Sequence, residues 1–386
     1  MRTWRLFLAG CLAATFTDPN PATAQSPGPR PKLAEEFPPP EDRGGWKTLL
    51  PESGIPGTAA KAEIRKRAGI DWDKLALAWD YNATVPGGTG FVVIRHGMIV
   101  GEWYRGGTRA TDYNIYSSSK AYTSTAFGLI LSDFGASATP AGKVLTLDTK
   151  VVNAEWMPES LPLPDARKAD ITVRHLLNMA SGVGPEAVPA KQPYEFALGH
   201  VAGSPFARLK GDPGTVFHYS NAGVSHLVLL FQHAAGVDLY PFLKERLLEP
   251  LGMKQVRWQA LGGDGAIGPY SQGYSGIYTT PREHARFCQL ALHRGEWAGK
   301  RVVPAAYYDF AWKPAATKAD YGAQWWTYPR WKEAPRDLVQ TSGRNHNDGF
   351  VLPGRDLIFV RLGDGDKFAK DFEDQLIKRV LASIED

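Results

Sequence analysis

Residues 116–131 read YSSSKAYTSTAFGLIL, a polar cluster running straight into an apolar helical pattern. Ala121, Phe127, Leu129, Ile130 and Leu131 supply apolar surface, and the pattern predicts a helix over 117–134. Of the three serines, only Ser117 lies three residues before Lys120. Residues i and i+3 share a helix face, so Ser117 Oγ and Lys120 Nζ can meet. Ser117 would also sit near a helix N-terminus, where free N–H groups and the dipole favour developing negative charge. Such a pair suits a nucleophilic serine with a lysine partner, provided burial or a neighbouring cation lowers the lysine pKa. The spacing alone is short enough to arise by chance, and a capping serine cluster followed by an exposed lysine is its plainer reading.

The rest of the chain frames this helix. Phe91-Val92-Val93-Ile94 and Met98-Ile99-Val100 flank Arg95-His96-Gly97 and predict a hairpin. Residues 171–179 (ITVRHLLNM) predict a short helix closed by Ser181-Gly182, and a helix pair covers about 221–249. Gly252 and Gly295 read as helix stops. Phe350 to Leu352 and Leu357 to Leu362 read as paired strands around Pro353-Gly354, and 368–384 as an amphipathic final helix. Strands come first and last with helices between. The expected fold class is therefore α+β: an antiparallel sheet built from both chain ends, flanked by helices, with an inserted, mostly helical subdomain.

Composition sets the outer bounds. The chain has 386 residues, 43% hydrophobic and 22% charged, which excludes wholesale disorder and suits one large domain or two closely packed ones. A formal charge of +4 without a Lys/Arg run leaves no nucleic-acid footprint. Two cysteines cannot build a disulfide scaffold or a Cys-rich metal site. Cys288, in the apolar helical pattern ARFCQLAL, reads as a buried structural thiol.

At the N-terminus, Arg2 and Arg5 precede the apolar run Leu6 to Phe16, and Ala22-Thr23-Ala24 offers a cleavage site before Gln25. This order fits a secretory signal peptide over 1–24, hence an exported, periplasmic or secreted protein without a stable membrane anchor. Lipidation at Cys11 fits less well, because almost no apolar region precedes it. A Pro-rich stretch, 25–58, reads as a surface linker or arm, leaving 59–386 as the main domain.

Two further segments carry chemistry-bearing residues. Tyr219-Ser220-Asn221 stands before an apolar helix; a tyrosine can relay a proton to a leaving group, and an asparagine amide can hold a carbonyl, but a core tyrosine with a capping residue explains the tripeptide as simply. Thr341-Ser342-Gly343-Arg344-Asn345-His346-Asn347-Asp348-Gly349 leads into the strand at Phe350, either lining a cleft or forming a plain loop. His175, His218, His233, His284 and His293 lie on separate segments without metal-ligand spacing, and no nucleotide fingerprint occurs, so neither metal nor cofactor is expected. Tyr113, Tyr116, Tyr274, Tyr278, Trp325 and Trp326 fall near these segments, either walling an apolar pocket or packing in the core.

Together these segments resemble the β-lactamase-related serine hydrolases, the class C-like branch that includes esterases and 6-aminohexanoate-dimer hydrolases. Ser117-x-x-Lys120 matches the superfamily's nucleophile motif. Ile171 to Leu177 with Ser181-Gly182, Pro213-Gly214 to Asn221, Pro250-Leu251-Gly252-Met253 and Gly273 to Thr280 match its further segments in order, over about 60–386. The resemblance implies Ser117 as nucleophile, Lys120 as activator and Tyr219 as acid/base, with Asn221 assisting. It also implies an oxyanion hole from the Ser117 N–H and a backbone N–H of the third-motif strand. The family's Lys-Thr-Gly is absent here. Thr341-Ser342-Gly343 and His346-Asn347-Asp348-Gly349 are the two possible replacements; the second is preferred, with His346, Asn347 and Gly349 as cleft residues. The implied substrate is a small-molecule ester or amide. A D,D-peptidase or weak β-lactamase, and a non-catalytic binding protein on the same fold, are the alternatives.

Overall fold

Seven strands form the central sheet of the computed structural model, which describes residues 36–189, 192–261, 265–332 and 334–385. They are β1 (Lys47–Thr48), β2 (Thr89–Arg95), β3 (Met98–Arg105), β4 (Trp326–Thr327), β5 (Val339–Thr341), β6 (Asp348–Leu352) and β7 (Leu357–Gly363). Their spatial order is β1-β3-β2-β7-β6-β5-β4, so both ends of the chain supply one sheet. Every pairing is antiparallel except β1 with β3. His96 (φ 51°) and Gly97 (φ 69°) make the two-residue turn between β2 and β3, a left-handed pair that matches strand twist.

The long strands carry apolar runs such as Phe91 to Ile94 and Leu357 to Val360 because helices cover both faces. Successive side chains alternate between two cores. Phe91, Val93, Phe350, Leu352, Leu357 and Phe359 pack with Ile64, Leu75, Leu376 and Val380 of helices Thr58–Ala68, Trp72–Asn82 and Phe372–Ala382. Val92, Ile94, Val351, Ile358 and Val360 point the other way, with Ala285, Phe287 and Cys288 of helix Pro281–Leu292. Behind that helix lie Ser119–Ile130 and Asn221–Ala235, packed on one another. The fold is the expected α+β arrangement. Among the described residues, no helix is long and apolar enough to cross a membrane.

The Pro-rich stretch departs from a surface arm. Phe37 and Trp46 are buried, and Lys47–Thr48 joins the sheet edge. The reason lies in the buried helix beneath it. Arg286 is buried and donates to the carbonyls of Pro38 (2.9 Å), Pro39 (2.7 Å) and Leu251 (3.1 Å), and pairs with Glu41 at 2.9 Å. A buried guanidinium needs its donors satisfied, and the strap supplies most of the acceptors. The leader reading over 1–24, with Cys11, and residues 25–35 of the arm fall outside the described residues.

Candidate active site

Three consecutive serines at the start of the site helix do three different things. Ser117 lies in a short 3₁₀ turn, Tyr116–Ser118, that feeds helix Ser119–Ile130. Ser118 Oγ donates to the Asn347 carbonyl at 2.6 Å, and Ser119 Oγ accepts from Ile277 N at 3.2 Å. Ser117 Oγ faces Lys120 Nζ at 2.9 Å. Its neighbour Tyr116 holds a left-handed φ of 46°, with its N–H donating to Asn114 Oδ1 at 2.8 Å. A side-chain acceptor thus secures a conformation that β-substituted residues seldom adopt.

Lys120 is buried, and its second partner is the Tyr274 carbonyl at 2.9 Å. No carboxylate accompanies it in those bonds. Burial therefore pushes its pKa well below the ordinary lysine value, favouring the neutral amine. The carbonyl comes from a segment clamped to the same helix, since Thr123 Oγ1 donates to Gly273 O at 2.6 Å.

The Tyr219 ring centroid lies 4.8 Å from Lys120 Nζ. Burial pushes the phenol up to about 12, although a hydrogen bond with Ser117 and the charge of Arg330 pull the other way. It is a phenol rather than a phenolate at neutral pH. Its ring stacks on Trp326 (centroids 5.9 Å apart, planes at 17°) and meets Tyr321 edge-on at 6.0 Å. Ser220 caps helix Asn221–Ala235 by accepting from Gly223 N at 3.0 Å. Asn221 opens that helix, and its buried Oδ1 has no hydrogen-bond partner among the described residues. A buried amide oxygen left unpaired costs free energy that a ligand donor can recover.

The third motif resolves differently from the preferred alignment. The Asn347 amide is committed to backbone: it donates to Arg344 O (2.8 Å) and Gly363 O (2.9 Å) and accepts from Gly363 N (2.6 Å). Gly349 lies in β6 opposite Thr341, where a Cβ would come within 2.5 Å of Cys288 Sγ. It admits the helix behind the sheet. His346 faces Glu373 (3.1 Å) and Asp348 (3.4 Å) and packs on Phe368 and Phe372. These contacts do not bring the His346 or Asn347 side chain, or Gly349, to Ser117, although the Asn347 carbonyl accepts from the adjacent Ser118 Oγ. The other alternative does reach it: a Cβ on Gly343 would stand 2.1 Å from the Ile115 carbonyl, two residues before Ser117. Thr341-Ser342-Gly343 thus runs beside the turn that carries Ser117.

Of the aromatic candidates, Trp326 faces the site and Trp325 does not. Trp325 is buried and donates to the Tyr307 hydroxyl at 3.2 Å. Arg330, which no motif marks, lies with its guanidinium 4.0 Å from the Trp326 ring centroid. Two mixed clusters, His346/Asp348/Glu373 and Glu36/His293/Asp356, have metal-ligand atom types close together. In both, histidine–carboxylate pairing accounts for the closeness, at 3.1 Å for His346–Glu373 and 3.4 Å for His293–Glu36. Cys288 is buried and its thiol pKa is pushed up, as expected of a structural cysteine.

The geometry can now be set beside known proteins. A protein assigned as a beta-lactamase from Bacteroides dorei is similar at a TM-score of 0.62 with 18% identity, over 81% of this chain and 97% of that one. A protein assigned as a 6-aminohexanoate-dimer hydrolase from Bacillus anthracis matches at 0.60 with 17% identity, over 80% of each chain. EstCE1, described as a hydrolase with promiscuous acyltransferase activity, matches at 0.60 with 17% identity, over 80% of this chain and 99% of that one. At these identities the likeness is one of fold. No curated protein matches the chain. The beta-lactamase family profile matches residues 83–383, from the end of the second helix through the last, and the chain belongs to the beta-lactamase family.

Proposed function

We propose that the protein is an exported serine hydrolase that cleaves an ester or amide bond through a covalent acyl-enzyme on Ser117. The observation that carries this reading is Lys120 Nζ, buried without a carboxylate partner among the described residues, 2.9 Å from Ser117 Oγ. A neutral amine at that distance accepts the Ser117 proton as Oγ adds to the substrate carbonyl. The developing oxyanion faces the Ser117 N–H and the backbone after Thr341, where fixed dipoles stabilise it without reorganising. Tyr219 hands a proton to the departing alcohol or amine. Water then attacks the acyl carbon, and the same groups act in reverse order. Asn221 offers its unpaired Oδ1 to a substrate N–H or O–H.

The names of the similar proteins include an amide hydrolase and an acyl-transferring hydrolase, which agrees with either bond type. Absence of a third-motif lysine argues against a penicillin-like carboxylate as the main recognition element.

The test is intact-protein mass after mixing wild type and Ser117→Ala with a p-nitrophenyl ester, a penicillin and a fluorophosphonate. Ester and fluorophosphonate adducts present only in the wild type are expected. A stable penicillin adduct would shift the assignment to a penicillin-binding enzyme. No adduct from any reagent would leave binding, not catalysis, as the function.

A further inference from the structure

Both walls beside Ser117 lead back to one carboxylate. The first wall is Tyr219 on Trp326. Arg330 lies against the same indole, 4.0 Å from its centroid. Arg330 is held in turn by Glu373, at 3.3 Å from Nε and 3.5 Å from the second nitrogen. The second wall is the third-motif segment at Gly343. Its N–H donates to Asp348 Oδ1 at 3.1 Å, Asp348 pairs with His346 at 3.4 Å, and His346 Nδ1 donates to Glu373 at 3.1 Å. Trp331 Nε1 adds a fourth N–H donor to Glu373 at 3.0 Å. Glu373 belongs to the first turn of the C-terminal helix Phe372–Ala382, on the side of the sheet away from the helix bearing Lys120.

We propose that Glu373 is a positioning residue for the hydrolytic site, holding the Tyr219 wall through Arg330 and Trp326 and the Gly343 wall through His346 and Asp348. The inference rests on the acyl-enzyme reading above. Its physical basis is that both oxygens of one carboxylate join the two arms: Oε2 accepts from Arg330 Nε and Trp331 Nε1, Oε1 accepts from the second Arg330 nitrogen and His346 Nδ1, and a carboxylate has about four acceptor sites to offer. Charge-assisted bonds of this kind fix planar groups in orientation as well as distance. The guanidinium plane sets the indole, and the indole sets the phenol. An error of about 1 Å in the placement of a catalytic group is enough to cost a large factor in rate.

The two arms make separable predictions. A displaced Tyr219 protonates the leaving group poorly, which matters for an alkoxide and little for p-nitrophenolate. A displaced Gly343 segment weakens oxyanion stabilisation for both substrates alike. The experiment measures kcat/KM on p-nitrophenyl butyrate and ethyl butyrate, with Tm, for the full chain and its variants. Arg330→Met is expected to widen the ratio between the two esters about tenfold. Arg330→Lys keeps the pair with Glu373 but loses the planar stack, and should recover part of that ratio. His346→Gln is expected to lower both rates by a similar factor, about tenfold. Glu373→Gln should show both effects.

Wild-type rates for Glu373→Gln on both esters would overturn the proposal. So would an equal loss on the two esters for Arg330→Met, since that is the behaviour of a merely structural ion pair. If Glu373→Gln does not fold, Arg330→Met and His346→Gln decide the matter, because each leaves the carboxylate in place. Failure of a fluorophosphonate to label wild-type Ser117 would be a different result, overturning the acyl-enzyme reading and this proposal with it.

Discussion

Lys120 is a residue whose burial works against stability and in favour of chemistry. An ammonium there would forfeit hydration with only Ser117 Oγ and the Tyr274 carbonyl as acceptors. The neutral amine avoids that cost, and its lone pair is what a serine nucleophile requires. Lys120→Met keeps the volume and removes the lone pair. It should cut acylation by several orders of magnitude, because a nucleophile and its base act as a unit, while leaving Tm equal or higher. Stopped-flow acylation and thermal melts on the same samples check both halves. A variant that loses activity and also melts much earlier would mean that the amine is structural. The Ser117 to Lys120 interval was legible at this scale because two residues three apart need only one helical turn to meet. The same was not true of Trp325 and Trp326. One faces the core and its neighbour the site, and the two-residue strand that begins at Trp326 is too short to show a phase in sequence.

Two glycines on neighbouring strand segments have opposite meanings. Gly343 is extended (φ −126°), so its conformation suits any residue, and what excludes a side chain is the approach of the Ile115 carbonyl, with the Asn347 carbonyl at 3.0 Å from the Cβ position. Backbone cannot yield as a rotamer can. Gly343→Ala should therefore push the segment away from Ser117, lowering kcat at least tenfold while Tm changes little, since the strain falls at the rim of the sheet. Gly349→Ala places its methyl 2.5 Å from Cys288 Sγ and 2.7 Å from His284 Nε2, inside a filled core. Overpacking there costs about 1–3 kcal/mol, so this variant should lose stability first. Chemical denaturation with kcat on both variants separates the cases; the reverse pattern would mean that Gly349 borders the cleft after all. Sequence alone could not rank the two glycines, because both stand in polar runs beside a strand. Their difference comes from register, Thr341 opposite Gly349, and from a contact with a segment more than two hundred positions earlier. The long strands, by contrast, were readable from composition, since burial on two faces favours apolar runs such as Phe91 to Ile94 and Leu357 to Val360.

On the scale of the whole molecule, the two cores share one sheet, and the polar groups buried within them couple the fold to pH. The apolar alternation that sorts Phe91 from Val92 was visible as a continuous run but not as a division, because both classes are apolar. The strap at Pro38 to Trp46 was invisible, because what recruits it is a guanidinium on a helix far along the chain. His346 and Lys120 sit on opposite sides of this arrangement and titrate in opposite senses. Burial alone would lower the His346 pKa, but Asp348 and Glu373 outweigh it and raise it to about 9. A raised histidine contributes stability that is full below about 6.5 and is lost as pH rises through about 9, amounting to about 3 kcal/mol at most. Lys120 is lowered by burial, so the unfolded chain binds a proton that the folded chain lacks, and stability gains from this group as pH rises toward the ordinary lysine range. The wild-type profile between pH 6 and 9.5 therefore sums two opposing slopes and hides both. Variants separate them. The stability gap between wild type and His346→Gln should be widest near pH 6 and shrink toward pH 9.5. Wild type should instead gain on Lys120→Met over the same range. Urea denaturation of the three proteins across that range measures both gaps. A gap for His346→Gln that stays constant with pH would mean that the imidazole is neutral in its cluster, and that Glu373 is held by Arg330 and Trp331 and Asp348 by the Gly343 N–H.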